Sequence, residues 1–199
     1  MQPITDLSFH ILLDAMDRFL PLSVPFKMAL RPLLFEQRYF KGSRILNFKQ
    51  TQSQLWFLLD GLVREIHVDQ ETFVEHTSWF WTKGKLICSE PGFFSQEPSD
   101  KSIEILEDCM VVVLSYQNWL SLKDEFLESY ILTEKLRSFY VRQRLQFSDE
   151  LLSRSAEDRF IKHKNELSSL FLITKVKYIA EFMSMTPDTL GRLRKQYLR

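Results

Sequence analysis

Along residues 1 to about 38, apolar side chains return every three or four positions. Leu7, Ile11, Leu12 and Ala15 lead, followed by Met16, Phe19 and Leu20, the spacing of one helical face. Pro21 and Pro25 interrupt the pattern, and a shorter helical piece runs through Met28, Leu30, Leu33 and Leu34. From about Phe35 to Leu114 the texture changes to short β-rich runs at residues 43–48, 55–59, 62–68, 73–81 and 110–114. Turn-prone pieces such as Lys41-Gly42-Ser43 and Asp60-Gly61 divide them. Val63, Glu65 and His67 alternate with Arg64, Ile66 and Val68, which predicts one wet face and one buried face. Many short strands at this spacing predict a small antiparallel barrel or sandwich.

Residues 124–153 contain neither Gly nor Pro and read as one helix of about 30 residues, roughly 45 Å long. Leu132, Leu136 and Phe139 form one seam, while Leu127, Ile131, Val141, Leu145 and Leu152 fall elsewhere on the wheel. A surface helix needs a single apolar stripe. Two stripes predict a helix that lies on its own barrel and also meets a partner helix, with Leu132, Leu136 and Phe139 as the dimer seam. The rival is the core helix of a monomer.

Beyond it, residues 156–165 read as a helix capped by Ser155, with Glu157 and Asp158 in its first turn. The chain closes with helical segments at 174–183 and 187–199, separated by Ser184-Met185-Thr186. Val176, Ile179, Ala180 and Met183 share one face of the first segment, and Leu190, Leu193 and Tyr197 share one face of the second. Thr186-Pro187 supplies a cap and a first-turn proline. Two short helices joined by about three residues, with small Ala180 at the crossing, predict a helix-turn-helix.

Charge sharpens this. The whole chain is formally neutral, yet from Thr174 onward six bases (Lys175, Lys177, Arg192, Arg194, Lys195, Arg199) face two acids, Glu181 and Asp188. The end is therefore +4 and the remainder −4, the footprint of a surface that docks phosphates. At 45% hydrophobic and 26% charged residues the composition excludes a disordered chain. Cys88 and Cys109 are too few for a disulfide framework or an iron–sulfur cluster, and His10, His67, His76 and His163 lack metal-ligand spacing. No nucleophile–base pair or phosphate-binding loop is present, so neither an enzyme nor a metal site is expected. With no basic leader and no apolar stretch of about 20 residues, the expected setting is the cytoplasm, with no membrane partner.

The residues 156–160 (Ala-Glu-Asp-Arg-Phe) and 176–195, with Ile179-Ala180 and Thr186-Pro187-Asp188-Thr189-Leu190, resemble the C-terminal part of Crp/Fnr-type bacterial transcription regulators. Phe40 to Leu46, Leu55 to Arg64, and Ile103 to Leu114 are similar to strands of that family's cyclic-nucleotide-binding-type barrel, in the same order. The resemblance implies an α+β fold: N-terminal helices and a double-stranded β-helix or jelly-roll barrel at 1–122, a long dimerisation helix at 123–153, and a helix-turn-helix domain at 154–199 with little or no wing. It implies a homodimer on double-stranded DNA, with RNA polymerase as a further partner. Thr186, Asp188, Thr189, Arg192, Arg194 and Lys195 would face the groove, and Lys175 and Lys177 the phosphates. Ser184 stands where the family usually has Gly, and Gly191 where it has Ser, which implies altered sequence reading. In the effector pocket, Ser89-Glu90 replaces Gly-Glu and Lys101-Ser102 replaces Arg-Ser/Thr. Lysine lacks the bidentate fork of arginine, so the pocket is expected to be degenerate and no cofactor is expected, a cyclic nucleotide being the alternative. The rival function is a ligand-binding or protein-interaction module with a decayed helix-turn-helix.

Overall fold

The computed structural model describes residues 1–69 and 71–198. Gln70 and Arg199, the last of the six C-terminal bases, lie outside the described residues.

Among the described residues nine strands form two antiparallel sheets. β1 (Gln2–Pro3), β2 (Leu34–Tyr39), β9 (Cys109–Ser115), β4 (Gln54–Asp60) and β7 (Leu86–Ile87) lie side by side in that order. The second sheet runs β3 (Arg44–Leu46), β8 (Lys101–Ile105), β5 (Leu62–Val68) and β6 (Glu75–Thr82). Trp56, Leu58, Val63, Trp81, Ile103 and Val111 pack between them. The run 55–59 is continuously apolar because it is covered twice. Trp56 and Leu58 enter this inter-sheet core, while Leu55, Phe57 and Leu59 face a layer of helices. That layer comprises α1 (Asp6–Asp17), α2 (Val24–Leu30), α3 (Tyr116–Glu125) and the first turns of α4 (Leu127–Ser153). Gly61, at φ +104°, turns β4 into β5, and a Cβ there would sit 2.6 Å from that of Cys109.

Several expectations are corrected. Residues 34–38, read as the end of the N-terminal helical region, are β2. Pro32 lies in a short 3-10 turn (Arg31–Leu33), after which the backbone is extended and pairs with β9 from Leu34↔Leu114 to Tyr39↔Cys109. β5 is wet only at His67: Leu62 packs against the C-terminal helices, Val63 enters the inter-sheet core, and Arg64 and Glu65 are both buried. The single long helix is divided at Phe126, whose backbone is extended. Its ring meets Phe26 edge-on at 5.5 Å, and the Ser129 hydroxyl donates back to the Leu122 and Phe126 carbonyls. The helical stretch expected at 156–165 extends as α5 over Ala156–Ile173, where Leu167 and Leu170 join the C-terminal core.

Candidate nucleic-acid interface

α6 (Val176–Phe182) and α7 (Pro187–Tyr197) form a helix pair on α5. Ile179, Ala180, Met183, Leu190 and Leu193 are buried together with Phe160 and Leu167. The turn is built by the backbone: Ser184 N–H donates to the Glu181 carbonyl and Met185 N–H to the Ala180 carbonyl, both at 3.0 Å. This is the Schellman arrangement, which needs a left-handed residue at its centre. Ser184 takes that role at φ +50°, as its position in the sequence implied. The Thr186 hydroxyl accepts the Thr189 N–H at 3.1 Å and starts α7.

Arg159 holds the turn from below, a role its sequence position did not reveal. Buried under the pair, its guanidinium donates to the carbonyls of Leu151 and Arg154 at the end of α4 and of Ser184 in the turn, at 3.3, 2.6 and 3.0 Å. One side chain thereby ties the long helix to the helix pair.

The pair presents its cations unevenly. Arg192 and Lys195 are exposed on the outer face of α7, with Asp188 one turn earlier, while Leu190 and Leu193 point inward. Arg194 is also exposed, but on the side of α7 toward α5, where its guanidinium lies over the Phe171 ring at 4.5 Å. Lys175 and Lys177 are exposed at the start of α6, Lys177 being 3.7 Å from Glu181. The hydroxyls of Thr186 and Thr189 bond each other at 2.9 Å, so the cap engages the hydroxyl expected near base edges. Gly191 has no steric need of glycine, since a Cβ there would meet nothing within 4 Å.

The pair also rests on the barrel. Arg64 of β5 stacks on Tyr178 of α6 at 3.6 Å and is held by Glu104 at 2.5 Å and the Thr77 hydroxyl at 3.0 Å. The Glu181 carboxylate accepts the Thr77 N–H at 2.9 Å. Phe182 stacks on Phe147 of α4 at 4.5 Å and meets Trp79 and Phe80 of β6 edge-on. The charged alternation read in β5 was therefore covered by a partner element distant in sequence.

No protein-family model matches the chain, and no curated protein does. Solved structures do. FixK2 from Bradyrhizobium japonicum superposes with a TM-score of 0.71 at 16% identity, over 82% of this chain and 83% of that one. A protein from Eubacterium rectale, assigned to the Crp/Fnr family of transcriptional regulators, gives 0.68 at 15% identity over 91% and 88%. The c-di-GMP responsive regulator CLP of Xanthomonas campestris gives 0.63 at 14% over 88% and 92%. The chain has the Crp/Fnr fold.

The residues that the resemblance assigned to an effector pocket are satisfied by their own chain. Ser89 is fully buried, donating its N–H to the Gln52 side chain at 2.8 Å and sharing a hydrogen bond with the Ser99 hydroxyl at 2.7 Å. The Glu90 carboxylate accepts from Arg137 of α4 at 3.2 Å, and its carbonyl accepts from Lys101 Nζ at 3.0 Å. Ser102 turns away and accepts the Phe48 N–H at 2.9 Å. Two turns further along α4, Arg144 clamps buried Glu65 through both carboxylate oxygens at 2.5 and 2.9 Å. Tyr140, between them, accepts the Leu86 N–H at 3.1 Å. Burial pushes its phenol well above the usual range, and also raises the nearby Cys88 thiol to about 12; neither ionises near neutrality. Sequence reasoning missed Arg137 and Arg144 because the barrel-facing side of α4 is polar there, and only packing reveals which carboxylates it meets.

The dimer seam needs the clearest correction. Leu132 and Leu136 are 0% and 1% exposed within the chain's own core, and Phe139 meets Phe19 edge-on at 5.0 Å. They face α1 and the barrel. Among the described residues no helix is long and apolar enough to cross a membrane, and no group of three or more His, Cys, Asp or Glu is arranged to hold a metal ion.

Proposed function

We propose that this protein is a DNA-binding transcription regulator of the Crp/Fnr type, acting as a homodimer whose original effector pocket is closed by its own side chains. In this reading the units are a jelly-roll barrel, a dimerising α4 and a helix-turn-helix at α6–α7. The observation that carries this reading is the helix pair itself. It keeps an intact left-handed turn and a buried Ala180 crossing, while Arg192 and Lys195 are left outward on α7. The left-handed turn forms even with Ser184 at its centre, and this favours the regulator over an interaction module.

Dimerisation is argued from the outer face of α4. Leu127, Ile131, Glu134, Ser138, Val141, Leu145, Ser148 and Leu152 are all exposed and follow one another at alternating steps of four and three. That is the heptad spacing of a two-helix seam, about 38 Å long at 1.5 Å per residue. Five of the eight are apolar, up to Leu152 at 85% exposed. A two-fold pair places two α7 helices on half-sites about 34 Å apart. Arg137 and Arg144 occupy the carboxylates on the barrel side, so no cyclic nucleotide is required to hold α4 down.

The test is selection of bound fragments from random duplex DNA by the purified full chain, followed by titration of the enriched sequence. A palindromic site bound by two chains is expected. Enrichment of nothing over input, at salt low enough for phosphate contacts, would remove the DNA reading.

A further inference from the structure

A cleft of about 740 Å³ opens where the barrel, α4 and the C-terminal helices meet, within the range of small-molecule sites. It lies outside the closed effector pocket. Its floor is aromatic and drawn from three elements: Trp79 of β6, Phe147 of α4 and Phe182 of α6. Phe147 and Phe182 stack with their planes 11° apart, and Trp79 meets them edge-on at 5.5 and 5.8 Å. All three rings are only half-buried; Arg144 lies over Trp79 at 4.7 Å and His163 meets Phe147 edge-on at 5.6 Å, and the remaining ring surface is open to an occupant.

The charges around the floor are sorted. Glu150 and Glu166 line one wall but are already engaged, since His163 bonds them at 2.9 and 3.3 Å and Lys162 pairs with Glu150. Lys83 and Lys85, exposed on either side of Gly84, have no side-chain ion-pair partner among the described residues. Asp60 and Glu107 stand at the hairpin end of the rim, also without one. The lining as a whole carries more carboxylates than lysines, so only the Gly84 side, where Lys83 and Lys85 project, suits an anionic group.

We propose that this cleft binds a flat aromatic molecule bearing a single carboxylate, sulfonate or phosphate. The ring lies on Trp79, Phe147 and Phe182, and the anion meets Lys83 and Lys85. Cation–anion contact and aromatic stacking address different ends of one ligand, so orientation is set without a deep pocket. Phe182 belongs to the helix pair, so an occupant touches the DNA-reading unit directly. Any change in DNA affinity rests on the function proposed above; the binding itself does not.

The probe is 8-anilinonaphthalene-1-sulfonate, with uncharged N-phenyl-1-naphthylamine beside it, titrated by fluorescence into the full chain. The sulfonate is expected to saturate at one per chain. The double variant Lys83→Glu/Lys85→Glu, at exposed positions, should weaken it at least tenfold while leaving the uncharged probe unchanged. Phe147→Leu should weaken both. An unsaturable sulfonate, equal affinity in the charge-reversed variant, or equal loss of both probes in that variant would each overturn the proposal. Near-UV circular dichroism of every variant verifies that the aromatic packing is intact, and DNA titration is run separately so that the two readings fail independently.

Discussion

Lys195 and Arg194 are adjacent in sequence, basic and both exposed, but they lie on different sides of α7. Lys195 is exposed on the outer face of α7, whereas Arg194 stacks on Phe171 at 4.5 Å. In a dimer, Lys175, Lys177, Arg192 and Lys195 supply eight phosphate-directed cations, for a slope of log affinity against log salt of about −7 at roughly −0.9 per contact. Between 50 and 200 mM salt this is a loss of about 10⁴-fold in affinity. Lys195→Gln removes two of the eight and should reduce the slope to about −5, so that the same salt step costs about 10³-fold. Arg194→Gln should leave the slope near −7 and instead lower folding stability by about 0.5–1 kcal/mol, the worth of a partly exposed cation–π contact. Fluorescence anisotropy on one labelled duplex at four salt concentrations measures the slopes, and urea unfolding measures the stability. Equal reductions of slope by the two substitutions would refute the assignment of faces, as would an unchanged slope for Lys195→Gln.

Gly191→Ala should stabilise the chain by about 1 kcal/mol, because the helix gains propensity and the added methyl meets nothing; Ser184→Gly should add about 1 kcal/mol by relieving the left-handed turn, both read by thermal unfolding. Leu145→Asp, on the exposed seam of α4, should convert dimer to monomer in sedimentation without altering the circular dichroism of the barrel. His163 bridges α5 to Glu150 of α4, and its pKa is raised by the Glu166 hydrogen bond, which together with Glu150 outweighs burial. Its stabilisation is therefore complete below the ordinary histidine pKa near 6.5 and lost as pH rises through the higher folded value; His163→Gln should flatten that limb of a stability–pH profile. Glu36 works oppositely: burial opposes its charge, but hydrogen bonds from Ser8, Thr5 and Gln2 prevail and bring it from 4.5 down to about 2. Its contribution is present above pH 4.5 and lost toward pH 2, so Glu36→Gln should remove about 2–3 kcal/mol of acid-sensitive stability.

Local chemistry was enough to read much of this molecule from its residues alone. The change from helices to short strands and back to helices, the cap at Thr186 and the inward Leu190 and Leu193 follow from spacing and backbone preference, which act over a few residues, whereas the left-handed Ser184 was implied by the family resemblance. The resemblance in residue order pointed to the same fold that the solved structures share. What local pattern cannot carry is which partner covers a given face. The apolar stripes of α4 were both visible, but only burial shows that Leu132 and Leu136 belong to the chain's own core and Leu145 and Leu152 to the outside. Residues 34–38 suited either period until pairing with β9 decided for a strand. Arg64, Arg144 and Arg159 are each engaged by groups at least five residues away, and mostly much farther, so their roles exist only once the chain has folded. Secondary structure is a local free-energy choice, whereas burial and charge pairing are decided between elements distant in sequence.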